Sequence, residues 1–101
     1  MPSKSKIKGN TFEREIVNKC ESVGVPAKRA WGSNGQSLGM HEEVDVLVDR
    51  FKVQAKRRKR LGKLFKPSEH VDVQMVREDR DETYVIMKLD KWLDLVLDAI
   101  V

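Results

Sequence analysis

Glu43-Val44-Asp45-Val46-Leu47-Val48-Asp49-Arg50-Phe51-Lys52-Val53-Gln54-Ala55-Lys56 is the stretch on which the fold turns. Val44, Val46 and Val48 alternate with Glu43, Asp45 and Asp49, the period of a half-buried strand. Phe51, Val53 and Ala55 alternate in the same way with Lys52, Gln54 and Lys56. Runs at 43–49 and 51–56 therefore predict a β-hairpin with Asp49-Arg50 as its two-residue turn. Counting back from that turn sets 48 against 51, 46 against 53 and 45 against 54. Asp45 and Gln54 then share a face, roughly 5 Å apart at Cβ, with Lys56 one diagonal step away. A longer turn would shift the register by a residue or two.

That face carries chemistry as well as structure. A hard cation such as Mg²⁺ takes oxygen ligands, commonly one or two carboxylates completed by waters and substrate phosphate. Asp45 offers a carboxylate, Gln54 a side-chain carbonyl and Ala55 a backbone carbonyl. Lys56 would orient, or help to deprotonate, a water attacking phosphorus. The spacing alone favours a plainer reading: a solvated sheet face with Glu43 and Lys56 as a cross-strand ion pair. The strand then runs into Lys56-Arg57-Arg58-Lys59-Arg60. Five adjacent cations repel one another unless an anion is near, and the run is expected to touch a phosphate backbone.

The rest of the chain is consistent with such a partner. It has 101 residues, 20 Lys+Arg against 16 Asp+Glu, a net charge of +4, and 40% hydrophobic and 36% charged residues. This is the composition of a soluble globular domain with a basic balance. Cys20 is the sole cysteine, which excludes an intrachain disulfide, and two separated histidines spell out no zinc site. Neither a membrane span nor the apolar core of a signal peptide is present, so the cytoplasm is the expected compartment.

Outward from the hairpin, residues 1–8 read as a flexible basic arm and 9–101 as a single domain. Phe12, Ile16, Cys20 and Val23 fall at helical spacing, predicting a helix from Asn10 or Thr11 that Gly24 ends. Val25 to Trp31 reads as a strand carrying Lys28 and Arg29, and 32–39 as a polar loop with three glycines. After Arg60 come a short, irregular helix to about Glu69, then a second hairpin from runs 71–77 and 83–88 turning through Glu78 to Glu82. A last helix is capped by Asp90 and carries the stripe Leu89, Trp92, Leu93, Val96, Leu97 and Ile100. The expected class is α/β, an α+β sandwich whose helices flank a mixed central sheet.

Three smaller features bear on the site. Glu13 borders the apolar stripe of the first helix, so it leans toward the sheet, where a carboxylate could serve a metal; Asn10-x-x-Glu13 also has the form of a capping box. Glu15 and Lys19 read as an outward i, i+4 pair. The loop 32–39 lacks the Gly-Lys-Ser/Thr of a phosphate-binding loop, which argues against a nucleotide cofactor. His41 and His70 read as surface residues, and Trp31 as a packing residue able to stack on a base.

Taken in order, these segments resemble the archaeal-type Holliday junction resolvases, a compact branch of the PD-(D/E)XK nuclease superfamily. Lys8-Gly9-Asn10-Thr11-Phe12-Glu13-Arg14-Glu15 looks like the family's Lys-Gly-x-x-x-Glu-Arg-Glu opening. Arg29-Ala30-Trp31-Gly32-Ser33 is similar to its Arg-x-x-Gly-Ser segment. Val44-Asp45-Val46 resembles the strand with the catalytic aspartate, and Val53-Gln54-Ala55-Lys56 the hydrophobic-Glu-Val-Lys segment. The likeness spans residues 8–60 and departs at two points: the loop Asn34 to Glu42 is longer, and Gln54 stands where the family has an acid.

The resemblance implies a restriction-endonuclease-like core and a homodimer that cuts four-way DNA junctions with Mg²⁺, for which Mn²⁺ can substitute. Such activity serves DNA recombination and repair. By the same resemblance Glu13, Asp45, Gln54 and the Ala55 carbonyl hold the ion and Lys56 serves the attacking water. Arg14, Arg29 and Ser33 contact the DNA backbone, with Lys8 and Arg57, Arg58, Lys59 and Arg60 beside them. Two alternatives stay open at this point: a nuclease of the same superfamily with another specificity, and a DNA-binding module that has lost the chemistry.

Overall fold

The first helix starts earlier than its apolar face requires. In the computed structural model, which describes residues 3–30 and 35–100, α1 runs over Lys4–Ser22. The Ser3 carbonyl accepts the Ile7 N–H at 3.0 Å, so the ladder begins within the segment expected to be a loose arm. Nothing between Ser3 and Gly9 breaks a helix, and a single interior glycine costs only about 1 kcal/mol. Asn10 therefore lies inside the helix and does not cap it. At the other end the expectation holds: Gly24 adopts φ 87°, the Val25 N–H reaches the Cys20 carbonyl at 2.9 Å and the Gly24 N–H reaches that of Glu21 at 3.1 Å. This is a Schellman-type stop, which favours glycine because a Cβ is strained in the left-handed region.

Three short strands follow: β1 (Ala27–Arg29), β2 (Val46–Val48) and β3 (Phe51–Val53). All pairings are antiparallel, in the order β1-β2-β3, with Arg29 facing Val46 and Val46 facing Val53. The hairpin register is the one counted from the sequence, with Val48 against Phe51 and Val46 against Val53. Its turn is tight because Asp49 takes φ 51°, a conformation that aspartate tolerates better than most residues. α1 packs on β1 and β2. The apolar core consists of Ile16 and Cys20 from the helix and Val25, Ala30, Val44, Val46 and Val48 from the strands and their approaches.

Contacts within the chain divide it between Arg57 and Arg58 into two compact units, where the sequence suggests one domain from residue 9. The second unit holds a 3-10 turn (Lys63–Phe65) in place of the short helix expected there. It also holds β4 (Val73–Val76), β5 (Tyr84–Met87) and α2 (Leu89–Ile100). β4 and β5 form the expected hairpin, with Met75 opposite Val85. α2 buries Leu93 and Val96 from the predicted stripe. Asp90 lies in its first turn, where its charge suits the positive helix end, two residues after the cap position Lys88, whose carbonyl accepts the Trp92 N–H at 3.2 Å.

The architecture is thus a mixed α+β chain with two small antiparallel sheets, and among the described strands the expected mixed sheet is absent. A parallel pair needs a crossover of a dozen or more residues. β2–β3 and β4–β5 are joined by turns far shorter than that. Among the described residues no helix is long and apolar enough to cross a membrane.

Candidate functional site

Asp45 lies one residue before β2, where regular pairing gives out. Its N–H donates to the Val53 carbonyl at 2.9 Å, although Val53 is already the ladder partner of Val46. Two successive residues thus oppose one, which is the pattern of a β-bulge. Bulges twist a strand end and re-aim a side chain. The direct opposition of 45 and 54 expected from counting is replaced by a different junction. Asp45 Oδ2 accepts the Ala55 N–H at 2.8 Å, so the carboxylate seats on the middle residue of Gln54-Ala55-Lys56. On its other side the Asp45 carbonyl accepts the Ala30 N–H at 2.9 Å, tying the aspartate to the end of β1 as well.

Gln54 and Lys56 are exposed, beyond the last paired residue of β3, while Ala55 and Asp45 are half-buried. Two of the expected ligand residues, Asp45 and Ala55, are therefore brought into contact. Asp45 Oδ1 carries no hydrogen bond among the described residues.

The helix contributes the second cluster. Glu13 is the only charged or polar residue of the described chain that is buried, at 3% exposure. Burying an ionised carboxylate is costly unless it is paired. The pairing comes from Arg29, whose Nε donates to Glu13 Oε1 at 3.3 Å and whose Nη2 donates to Asn10 Oδ1 at 3.3 Å. The sequence reading places Glu13 correctly against the sheet but misses this partner. Asn10 and Glu13 are one helical turn apart and so share a face. The same i, i+3 spacing that suits a capping box sets both side chains toward Arg29.

The remaining expected contacts sort by position. Arg14 and the Arg57 to Arg60 run are exposed, and Lys8 is half-buried on α1. Ser33 and Trp31 lie outside the described residues. Among the described residues no three His, Cys, Asp or Glu side chains gather as a metal-binding group; the expected set includes only two acids, completed by carbonyl oxygens. His41 Nδ1 accepts the Glu43 N–H at 3.1 Å and orders the approach to Val44.

Gly35 is a residue that sequence reasoning passed over. It is buried, and a Cβ there would overlap the His41 carbonyl oxygen and lie 2.9 Å from the Val44 Cβ. The loop before Asp45 thus closes on a glycine that has no room for a side chain.

No protein-family model, curated protein or solved structure matches this chain. The geometry of these two clusters, within an α+β frame, is therefore what bears on function.

Proposed function

We propose that the chain is a Mg²⁺-dependent, structure-selective endonuclease that hydrolyses phosphodiesters in four-way DNA junctions as a homodimer, built on a restriction-endonuclease-like core. The observation that carries this reading is the seat of the Asp45 carboxylate on the amide of Ala55, the residue between Gln54 and Lys56 in the sequence. The donor chemistry suits a hard cation: among the described residues one Asp45 carboxylate oxygen has no hydrogen bond, and Gln54 and Ala55 add neutral carbonyl oxygens. Glu13 is the further acid. When bound, the ion would lower the pKa of a water and stabilise charge building on the phosphate.

The chain's own residues supply the rest. The exposed Lys56 ammonium orients the attacking water beside the phosphate, and Arg14 and the 57–60 run hold the backbone by charge. Water oxygen forms the new bond to phosphorus as one P–O bond to sugar breaks, and the water's proton passes to the departing oxygen by way of solvent. Two matched cuts across a junction follow from two copies related by a two-fold axis.

A second reading, a nucleic-acid-binding module without the chemistry, is favoured by the engagement of Glu13 with Arg29 and by Gln54 in place of an acid. The two are separated by a junction-cleavage assay with Mg²⁺ or Mn²⁺ on wild type, Asp45→Asn and Gln54→Glu. Asn at 45 retains an oxygen for the Ala55 N–H, so the fold is kept while the charge is lost. The nuclease reading expects wild type to cut, Asp45→Asn to lose at least 100-fold in rate with binding intact, and Gln54→Glu to need less metal. Binding by wild type without cutting at any metal concentration would leave the module reading standing.

A further inference from the structure

The register that builds the site also sorts the strands' side chains into two faces. Arg29, Val46 and Val53 lie in one cross-strand row, and the Arg29 bond to Glu13 identifies their side as the one covered by α1. The residues that β1, β2 and β3 present on the other side are Lys28, Leu47 and Lys52, which also form one row. Both lysines are exposed, and neither is paired with an acid among the described residues. Their Cα atoms are two strand spacings apart, about 10 Å.

In the next row toward the turn, the Asp49 N–H donates to the Pro26 carbonyl at 2.7 Å, and the Asp49 carboxylate is taken up by Arg50 at 3.3 Å. The Asp49 carboxylate, on the same face as Leu47, is thus paired with its own neighbour. Arg50 is itself held over the Phe51 ring at 4.6 Å from its centroid. Among the described residues this face therefore carries two lysines with no acid partner, on a three-stranded sheet.

We infer that this face, through Lys28 and Lys52, is a phosphate-backbone contact of a nucleic-acid duplex, additional to the basic run at 56–60. The inference rests on the reading of nucleic acid as the partner and does not depend on cleavage. Charge complementarity selects the occupant. Two lysines with Cα atoms about 10 Å apart on flexible stems are largely screened from each other in salt, so holding them there costs little, and each gains by displacing condensed counterions from a polyanion. An exposed lysine contacts phosphate as a point charge on a flexible stem, so no base sequence is read.

The test is the salt dependence of binding, measured by fluorescence anisotropy with a labelled four-way junction and a linear duplex over a sodium chloride series, for the full chain. Lys28→Gln combined with Lys52→Gln should reduce the slope of log K against log salt by about 1.8, two phosphates at about 0.9 each. That corresponds to roughly 60-fold weaker binding at 0.1 M salt. Lys28→Arg with Lys52→Arg should keep the wild-type slope, and circular dichroism should show the same helix content in all three proteins. An unchanged slope in the glutamine variant, with wild type binding, would overturn the inference and leave the nuclease reading intact. No binding by wild type even at low salt would overturn both. A reduced slope in a protein that never cuts would uphold the inference and sink the nuclease reading.

Discussion

At the residue scale the most constrained group is the Glu13 carboxylate. Its side chain is 4% exposed and that of its partner Arg29 is 24% exposed, so the pair sits at the margin of the core. Removing one member of a buried pair leaves the other without compensation, which costs 3–5 kcal/mol when burial is complete. Arg29 keeps some access to water, and Glu13→Ala is expected to lose about 1–3 kcal/mol. Glu13→Gln, which can still accept the Arg29 N–H, should lose less. Urea unfolding of the two variants checks the order; equal stability of Glu13→Ala and wild type would show that the pair contributes nothing.

Cys20 is the other residue whose surroundings dictate behaviour. It has no exposed surface, and burial pushes its thiol up from the ordinary value, opposed by a backbone hydrogen bond and reinforced by the Glu21 carboxylate. A thiol raised in the folded state remains protonated there while the unfolded chain ionises. Its contribution to stability is therefore complete below the ordinary thiol range and is lost as pH rises through the raised value. Labelling by a thiolate-selective disulfide reagent at pH 8 should follow the unfolding transition in urea. Fast labelling of the native protein would contradict the burial.

Among the elements, the helices and hairpins were legible because their signals are local. The i, i+3, i+7 set of Glu13, Ile16 and Cys20 and the alternation of Val46 and Val48 report burial directly. Strand ends were less legible. Runs of six or seven residues became strands of three, because pairing on both sides stops where the bulge at Asp45 begins.

The loop that leads into Asp45 gives a test at this scale. Gly35→Ala places a methyl group on backbone, which cannot move aside as a side chain can, and should cost about 3 kcal/mol or more. Gly24→Ala meets the left-handed strain of a helix stop and should cost about 1–2 kcal/mol. Thermal melts should rank Gly35→Ala well below Gly24→Ala; the reverse order would mean that the loop is free to relax.

For the whole molecule, the unit from Arg58 onward leaves apolar side chains in solvent. Met75 is 68% exposed and its cross-strand partner Val85 is 52% exposed, with Tyr84 and Val71 also open. A groove of about 550 Å³ is lined by Val85, Ile86, Met87, Leu89 and Trp92. A two-stranded sheet is marginal alone, and exposed apolar patches commonly mark interaction sites. The proposed homodimer is expected to use this surface. Sedimentation equilibrium should give twice the 11.7 kDa chain mass, and Met75→Lys with Val85→Lys should return it to one chain with helix content unchanged. A wild-type monomer at all concentrations would remove the dimer from the proposal.

The sequence by itself determined the two amphipathic helices, both hairpins, the register of the first and the Gly24 stop. These depend on periodicity and on backbone preferences within a few residues. Tertiary structure alone decided that the Asp45 carboxylate seats on the Ala55 amide, that Asn10 and Glu13 receive Arg29 instead of capping their helix, and that the strands form two antiparallel sheets. Each of those outcomes is a competition for hydrogen-bond partners distant in the chain. The winner depends on which groups folding removes from water, and residue spacing carries no record of that.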